Sequence, residues 1–339
     1  MRQIILILSL LLFFTGTVDA KVKQKTTKKR TQTVATQKEP TSPQVTEAQL
    51  KGRAKEFYKK AVAGDANAQF YLAECFIEGD GAKLNYKDGF FWAKKAAEQS
   101  HPGGAYYMGL CYSDGLYVTK NATKATEWYT KAHSFAFPLA DTGDPIAQYV
   151  IGTLYDNGVG DVYMNKETAV EWYRKSAKQD YARAQINLGF CYDEGEGVDQ
   201  DHKQAAQLYR KAAEQGHAMA QDNLGNSYYE GEGVKQDYNQ AVYWYRKAAE
   251  QDYANAQCNL GFCYDEGKGV KQDYEQAVYW YRKAVEQDDD QAQNNLASCY
   301  EEGLGVQKNL NKAIELFRKA ARQDNEDAQE NLERLGYSW

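Results

Sequence analysis

Proline is scarce in this chain, at five residues in 339, and methionine and histidine number only four each. So few prolines leave most of the chain free to be helical. After residue 20 no apolar run approaches the roughly 20 residues that cross a bilayer as a helix. There is no His-x-x-x-His or Cys-x-x-Cys pair, no Ser-x-x-Lys, no Lys-Thr-Gly and no three-glycine phosphate loop. The local signatures of a zinc site, an acyl-serine enzyme and a nucleotide fold are therefore all missing. Basic residues are outnumbered, 41 to 47, which argues against a nucleic-acid partner. No residue set emerges for catalysis, for a cofactor or for a metal.

The charge is also unevenly placed. Met1–Ala20 reads as a cleaved secretory signal, with Arg2 ahead of the apolar stretch Ile4–Phe14 and with Val18 and Ala20 at the −3 and −1 positions. Residues 21–46 read as a disordered basic linker. Lys21–Pro43 holds seven basic residues and only Glu39 on the acidic side, with almost nothing apolar to bury. The rest of the chain, from residue 44, carries 33 basic and 45 acidic residues. A basic tail on an acidic body can touch an anionic envelope weakly; a plain solvated tether is the other reading.

What the chain has in abundance is repetition. Ala184–Val198 returns almost letter for letter as Ala256–Val270, and Ala241–Gln251 returns as Ala277–Gln287. A period of 36 residues marks a solenoid, whose units bury their apolar faces only against neighbours. In the first half of the unit, Ala184, Leu188, Cys191 and Tyr192 share one helical face, and Gly195 supplies the left-handed stop. In the second half, Asp201, Asp237 and Asp273 each precede a Gln by three residues, the spacing of a capping box. Ala241, Trp244, Tyr245 and Ala248 then form a second buried stripe.

Seven such units fit residues 67–326. A lone second helix at 47–66 caps one end, and a lone first helix at 327–339 caps the other. Seven extra residues around Ser134–Pro138 and one in the Gly158–Lys166 loop interrupt the period. Both insertions are expected to fall between helices and to bulge outward. The expected fold is all-α, with sixteen helices.

These motifs resemble the Sel1-like repeat family, whose pattern A-x-x-x-L-G-x-x-Y-x-x-G-x-G-V followed by A-x-x-W-Y-x-K-A-A is carried from Ala184 through Ala213 and again from Ala256. The second unit departs from it, with Tyr117 at the second loop glycine. The resemblance implies a right-handed α/α superhelical solenoid within the tetratricopeptide-like superfamily. It also implies a non-catalytic scaffold for protein partners, secreted or periplasmic, or in the endoplasmic reticulum lumen if the source is eukaryotic. It leaves open a hydrolase of the β-lactamase or penicillin-binding type, as described for cysteine-rich relatives.

Cys75, Cys111, Cys191, Cys263 and Cys299 share one register position, so stacked units hold them too far apart to bridge. Together with Cys258 they read as free core thiols. His101, His133, His202 and His217 read as surface residues of turns and loops.

Two first-helix positions vary where the framework does not. One reads Phe70, Tyr106, Tyr149, Ile186, Asp222, Cys258 and Asn294. The other, four residues on, reads Glu74, Leu110, Thr153, Phe190, Asn226, Phe262 and Ser298. A further four on, the residue is acidic in six units: Glu78, Asp114, Glu194, Glu230, Glu266 and Glu302. Sites four apart share a helix face. First helices line the concave side of such solenoids, so a groove is expected with an aromatic N-terminal half and an acidic rim. Its expected contacts are Phe70, Glu74, Glu78, Tyr106, Leu110, Tyr149, Phe190, Glu194, Glu230, Phe262 and Glu266. The expected partner is an extended or helical protein segment bearing basic and apolar residues, bound by a monomer. Drift at solvent-exposed positions is the competing explanation of the same variation.

Overall fold

The computed structural model describes Pro40 and residues 43–339, so the signal sequence and most of the basic linker lie outside the described residues. After a short 3-10 turn at Glu47–Gln49, helix α1 (Gly52–Val62) caps seven helix pairs. These are α2 (Ala66–Glu78) with α3 (Tyr86–Glu98), α4 (Pro102–Asp114) with α5 (Ala122–Asp141), and α6 (Pro145–Asn157) with α7 (Lys166–Ala177). Next come α8 (Ala182–Glu194) with α9 (His202–Glu214), α10 (Ala218–Glu230) with α11 (Tyr238–Glu250), α12 (Ala254–Glu266) with α13 (Tyr274–Val285), and α14 (Asp290–Glu302) with α15 (Leu310–Ala321). Helix α16 (Glu326–Arg334) closes the stack. No strand occurs among the described residues. The chain is an all-α repeat solenoid.

Two corrections concern the N-terminal end. The capping helix expected from residue 47 is broken at Leu50–Lys51 and starts at Gly52. The end of the expected linker is tied down, because the backbone N–H groups of Gln44 and Val45 donate to the buried Asp88 carboxylate at 2.9 and 2.8 Å.

Local chemistry explains each boundary. Every first helix of a pair ends on a glycine in the left-handed region, from Gly79 (φ 76°) to Gly303 (φ 83°). Tyr117, the departure in the second unit, adopts the same hand (φ 66°), so that loop keeps its course. Every second helix starts at an Asn or Asp whose side chain accepts an N–H of the first turn. Asn85 accepts from Asp88, Asp201 from Gln204 and Asn309 from Lys312. The reciprocal half of the expected capping box is not made at Asp201. There the Gln204 amide donates to the Asp201 carboxylate at 2.9 Å instead of accepting from the backbone.

Within a pair, an aromatic ring closes on bare backbone. Tyr129, Tyr173, Tyr209, Tyr245 and Tyr281 are buried, each over the glycine of the facing helix. A Cβ on Gly225 would stand 2.5 Å from the Tyr245 ring. The first unit has alanine at both places, Ala73 and Ala93, so the lost ring makes room for the added methyl group. The tryptophan position that the sequence pattern stressed is less enclosed, since Trp128, Trp172 and Trp280 are only partly buried.

Between pairs, glutamines stitch the stack. The Gln of the Ala-Gln landmark donates to the last turn of the preceding helix, as in Gln221 to Ala213 O at 3.2 Å and Gln257 to Ala249 O at 3.2 Å, while Gln293 donates to Asp288 Oδ1 at 2.8 Å instead. The same side chain accepts from a Gln just past the second helix of its own pair, as in Gln251 to Gln221 at 2.8 Å and Gln287 to Gln257 at 3.0 Å. The second unit has Ala105 at this place and lacks the stitch. There the inserted residues do not bulge between helices; they extend α5 to 20 residues, with Pro138 inside it. The other insertion, in the loop after α6, meets this extension where His133 lies 2.9 Å from Asp161.

All six cysteines are buried and unbridged. His101 and His217, expected at the surface, are buried. His101 caps α4, with Nδ1 accepting from Gly104 N at 3.2 Å and Nε2 2.9 Å from Asn67 Oδ1. That pattern requires a neutral ring, and burial holds its pKa down to about 4.

Gly225→Ala is expected to lower stability by about 1–3 kcal/mol, the usual cost of overpacking a tight contact. Tyr245→Ala made together with Gly225→Ala should cost less than the two single changes added, as the first unit implies. Urea unfolding of the four proteins in a double-mutant cycle measures both.

Candidate interaction surface

In its N-terminal half the solenoid closes on itself. Arg183 at the start of α8 reaches back to α2, with Nε 2.8 Å from Glu74 Oε1 and Nη2 3.4 Å from Glu78 Oε1. It also donates to the Tyr107 hydroxyl at 3.3 Å. Arg53 of α1 binds Asp80 Oδ2 at 2.7 Å and stands 3.8 Å from Glu74. Asp80 in turn accepts from Ala218 N at 2.7 Å, 138 positions along the chain, and so serves as the anionic cap of α10. At the rim Lys51 pairs with Asp252 and Lys83 with Glu286, each at 2.8 Å. The first unit is thus locked against units four to six.

Burial governs the chemistry of this lock. It pushes the Glu74 carboxyl up, against the pull of Arg183 and then Arg53. His217 lies 3.1 Å from Asp80 Oδ2, yet burial and the two guanidinium groups hold its pKa well down. The ring is neutral and the contact is not an ion pair.

This closure revises the expected groove. The first variable position is buried in all seven units, including Phe70, Tyr106 and Tyr149. Phe70 points along the stack rather than into a groove. It lies on His101 at 4.8 Å between ring centroids and against Gly103 of the next unit. Tyr106 packs on Tyr129 at 5.5 Å, and Tyr149 on Tyr181 at 5.3 Å. Glu74 is fully buried in the ionic lock, and Glu78 is half-buried beside it. The aromatic N-terminal half is therefore interior, not an open surface. Leu110, Phe190 and Phe262 are half-buried, and Glu194, Glu230, Glu266 and Glu302 are exposed. The acidic rim runs along units four to seven. Sequence reasoning missed Arg53, Asp80 and Arg183, because nothing within one unit marks which copy will meet a distant one.

Arg183→Ala should leave Glu74 buried with little compensation, at a cost of about 3–5 kcal/mol. Glu74→Leu made together with Arg183→Met should recover most of that loss. Chemical denaturation ranks the three proteins, and small-angle scattering should show a larger radius of gyration for Arg183→Ala alone.

Asp222 generates a pH prediction. Burial raises its pKa to about 7, partly offset by the Asn259 amide at 3.0 Å. An unfolded Asp titrates near 3.9. Between these values the native chain holds a proton that the unfolded chain has released, so this residue lowers stability as pH rises from about 4 to about 7. Asp222→Asn should match the wild type near pH 4. Above pH 7 it should exceed the wild type by a constant margin of at most about 4 kcal/mol. Urea midpoints at pH 4, 5.5 and 8 test this, and parallel pH curves for the two proteins would contradict it.

Comparison with known proteins places this geometry. The model of the Sel1 repeat matches seven times, at residues 66–101, 102–132, 145–181, 182–217, 218–253, 254–289 and 290–325. The solved structure of c5321, a protective antigen of uropathogenic Escherichia coli with this fold, is 35% identical with a TM-score of 0.53, over 83% of this chain and 59% of that one. A Sel1 repeat protein from Oxalobacter formigenes is 38% identical with a TM-score of 0.56, over 63% of this chain and 87% of that one. Chitin synthase regulatory factor 3 of Schizosaccharomyces pombe is 34% identical over 39% of this chain, which spans only 14% of that protein. The chain spans at most about a quarter of the curated relatives it matches. With seven matched units, stacked and capped at both ends, this chain belongs to the Sel1 repeat family.

Proposed function

We propose that this protein is a secreted or periplasmic scaffold that binds a protein partner through the first helices of units four to seven and has no catalytic activity of its own. The observation that carries the reading is the register of Glu194, Glu230, Glu266 and Glu302, exposed one per unit on neighbouring helices beside the half-buried Phe190 and Phe262. Such a row suits a segment with basic residues at regular intervals and an apolar side. It also steers association, because exposed like charges gain most from a partner that neutralises several at once. The N-terminal signal pattern supports export. The yeast relatives, named as regulators of chitin synthase, fit a protein that acts by binding another.

The test uses the mature chain as bait on envelope extracts, comparing wild type with Glu194→Lys/Glu230→Lys/Glu266→Lys. A control reverses charge on second helices, at Lys247→Glu/Lys283→Glu. The expected result is capture that is lost only in the acidic-row variant and that weakens with salt. Equal capture by all three proteins would remove this surface from consideration. A nitrocefin assay on the purified chain should show no turnover; hydrolysis that follows the protein would favour the β-lactamase-type alternative.

A further inference from the structure

The repeats supply their own comparison at one recurrent trio of positions. The trio comprises a residue in the last turn of a first helix, the first residue of the paired second helix, and the residue between the two loop glycines of the next unit. In the third unit these are Asp156, Lys166 and Glu196, and the Lys166 ammonium sits 2.8 Å from each carboxylate. In the fifth they are Tyr229, Tyr238 and Lys268. There the cation comes from the third position, donating to the Tyr229 hydroxyl at 2.7 Å and lying 5.1 and 5.7 Å from the two ring centroids. In the sixth they are Asp265, Tyr274 and Leu304, one carboxylate without a second. Of the two units whose trio carries two carboxylates, the third sets a permanent cation between them and one does not.

The exception is the fourth unit, with Asp193, His202 and Glu232. Their ligand atoms all lie within 4.8 Å of one another. His202 Nδ1 is 2.7 Å from Asp193 Oδ1, and the second Asp193 oxygen accepts from the Tyr209 hydroxyl at 3.3 Å, which fixes the carboxylate. The ring makes no hydrogen bond to Glu232. A lysine nitrogen serves both carboxylates of the third unit from one point, whereas an imidazole nitrogen aimed at Asp193 cannot also serve Glu232. A single ion about 2.0–2.2 Å from each donor would reach all three once the widest-spaced donors close to within about 4.4 Å of one another.

We propose that Asp193, His202 and Glu232 form a binding site for a divalent transition metal of the zinc class, joining units four and five where Lys166 joins units three and four. One imidazole and two carboxylates are a ligand set that such ions accept, with solvent completing the shell. The site stands beside the acidic row at Glu194 and Glu230 but does not depend on the partner-binding reading. A search by fixed sequence spacing does not find it, because its ligands come from three separate elements.

The experiment is calorimetric titration of the chelator-treated mature chain with zinc chloride at pH 7.5, alongside thermal unfolding. The expected result is one ion per chain and a zinc-dependent rise in Tm. His202→Ala and Glu232→Gln should each weaken affinity at least tenfold, while His133→Ala, which alters the other surface histidine–aspartate pair, should not. His202→Lys rebuilds the third-unit arrangement, so it should abolish zinc binding yet keep a Tm at or above that of the zinc-free wild type. No binding by the wild type, or wild-type affinity in His202→Ala, would overturn the proposal.

Discussion

The contact on which the structure depends is the tyrosine ring lying against glycine backbone inside the second to sixth pairs. It sets how closely the two helices of a unit approach, and the glutamine stitches then set how each unit sits on the last. Because both contacts recur with nearly the same geometry, their small rotations accumulate in one direction. By the fourth unit the stack has turned far enough for Arg183 to meet Glu74, and by the fifth for Asp80 to cap α10. A slacker ring contact in any early unit would displace that meeting by several ångströms. A buried guanidinium–carboxylate contact tolerates no such displacement.

The closing contacts change what kind of object the solenoid is. An open stack of repeats holds only neighbour contacts and opens progressively from its ends. Here the N-terminal cap touches unit five, so fraying of α1 must break Arg53–Asp80 and Lys51–Asp252 as well as its contact with α2. The N-terminal half gains cooperativity from contacts with units far along the chain, whereas among the described residues α16 has no such distant partner and is held by the last pair, as in the Arg334–Glu301 bridge. The same lock fills the space that an open superhelix would leave as a groove. The exposed glutamates at the ends of the first helices therefore lie in units four to seven.

The repeat unit, its caps, the glycine stops and the free thiols were legible because each is written locally and then repeated. Closure was not, because it pairs residues that occur once. Arg183 occupies a place held by Met219, Asn255 and Gln291 in the units that follow, and nothing within one unit says which copy will face Glu74. The variable position was misread for a related reason. Variation there suggested solvent exposure, but Phe70 fills space that Gly103 vacates, and Tyr149 meets Tyr181. Each residue differs because its neighbour in the next unit differs. Variation within a repeat array therefore reports a change of environment, and burial decides whether that environment is water or another repeat.

The same logic separates the histidines, which the sequence grouped together. His101 and His217 stand at the same register, ahead of a first helix, and both are kept neutral by burial. His101 is satisfied by its own unit and the one before it, through Gly104 and Asn67. His217 instead stands in a lock formed by a distant unit, next to Asp80 and two guanidinium groups. One position in the repeat thus carries two electrostatic problems, and only the superhelical path determines which one a given copy must solve. At the register of His202 the environment is half-exposed and acidic, and Asp193 raises the ring's affinity for a proton rather than lowering it. Across the array it is the sign of the surrounding charge and the access of water, more than residue type, that set what each histidine can do.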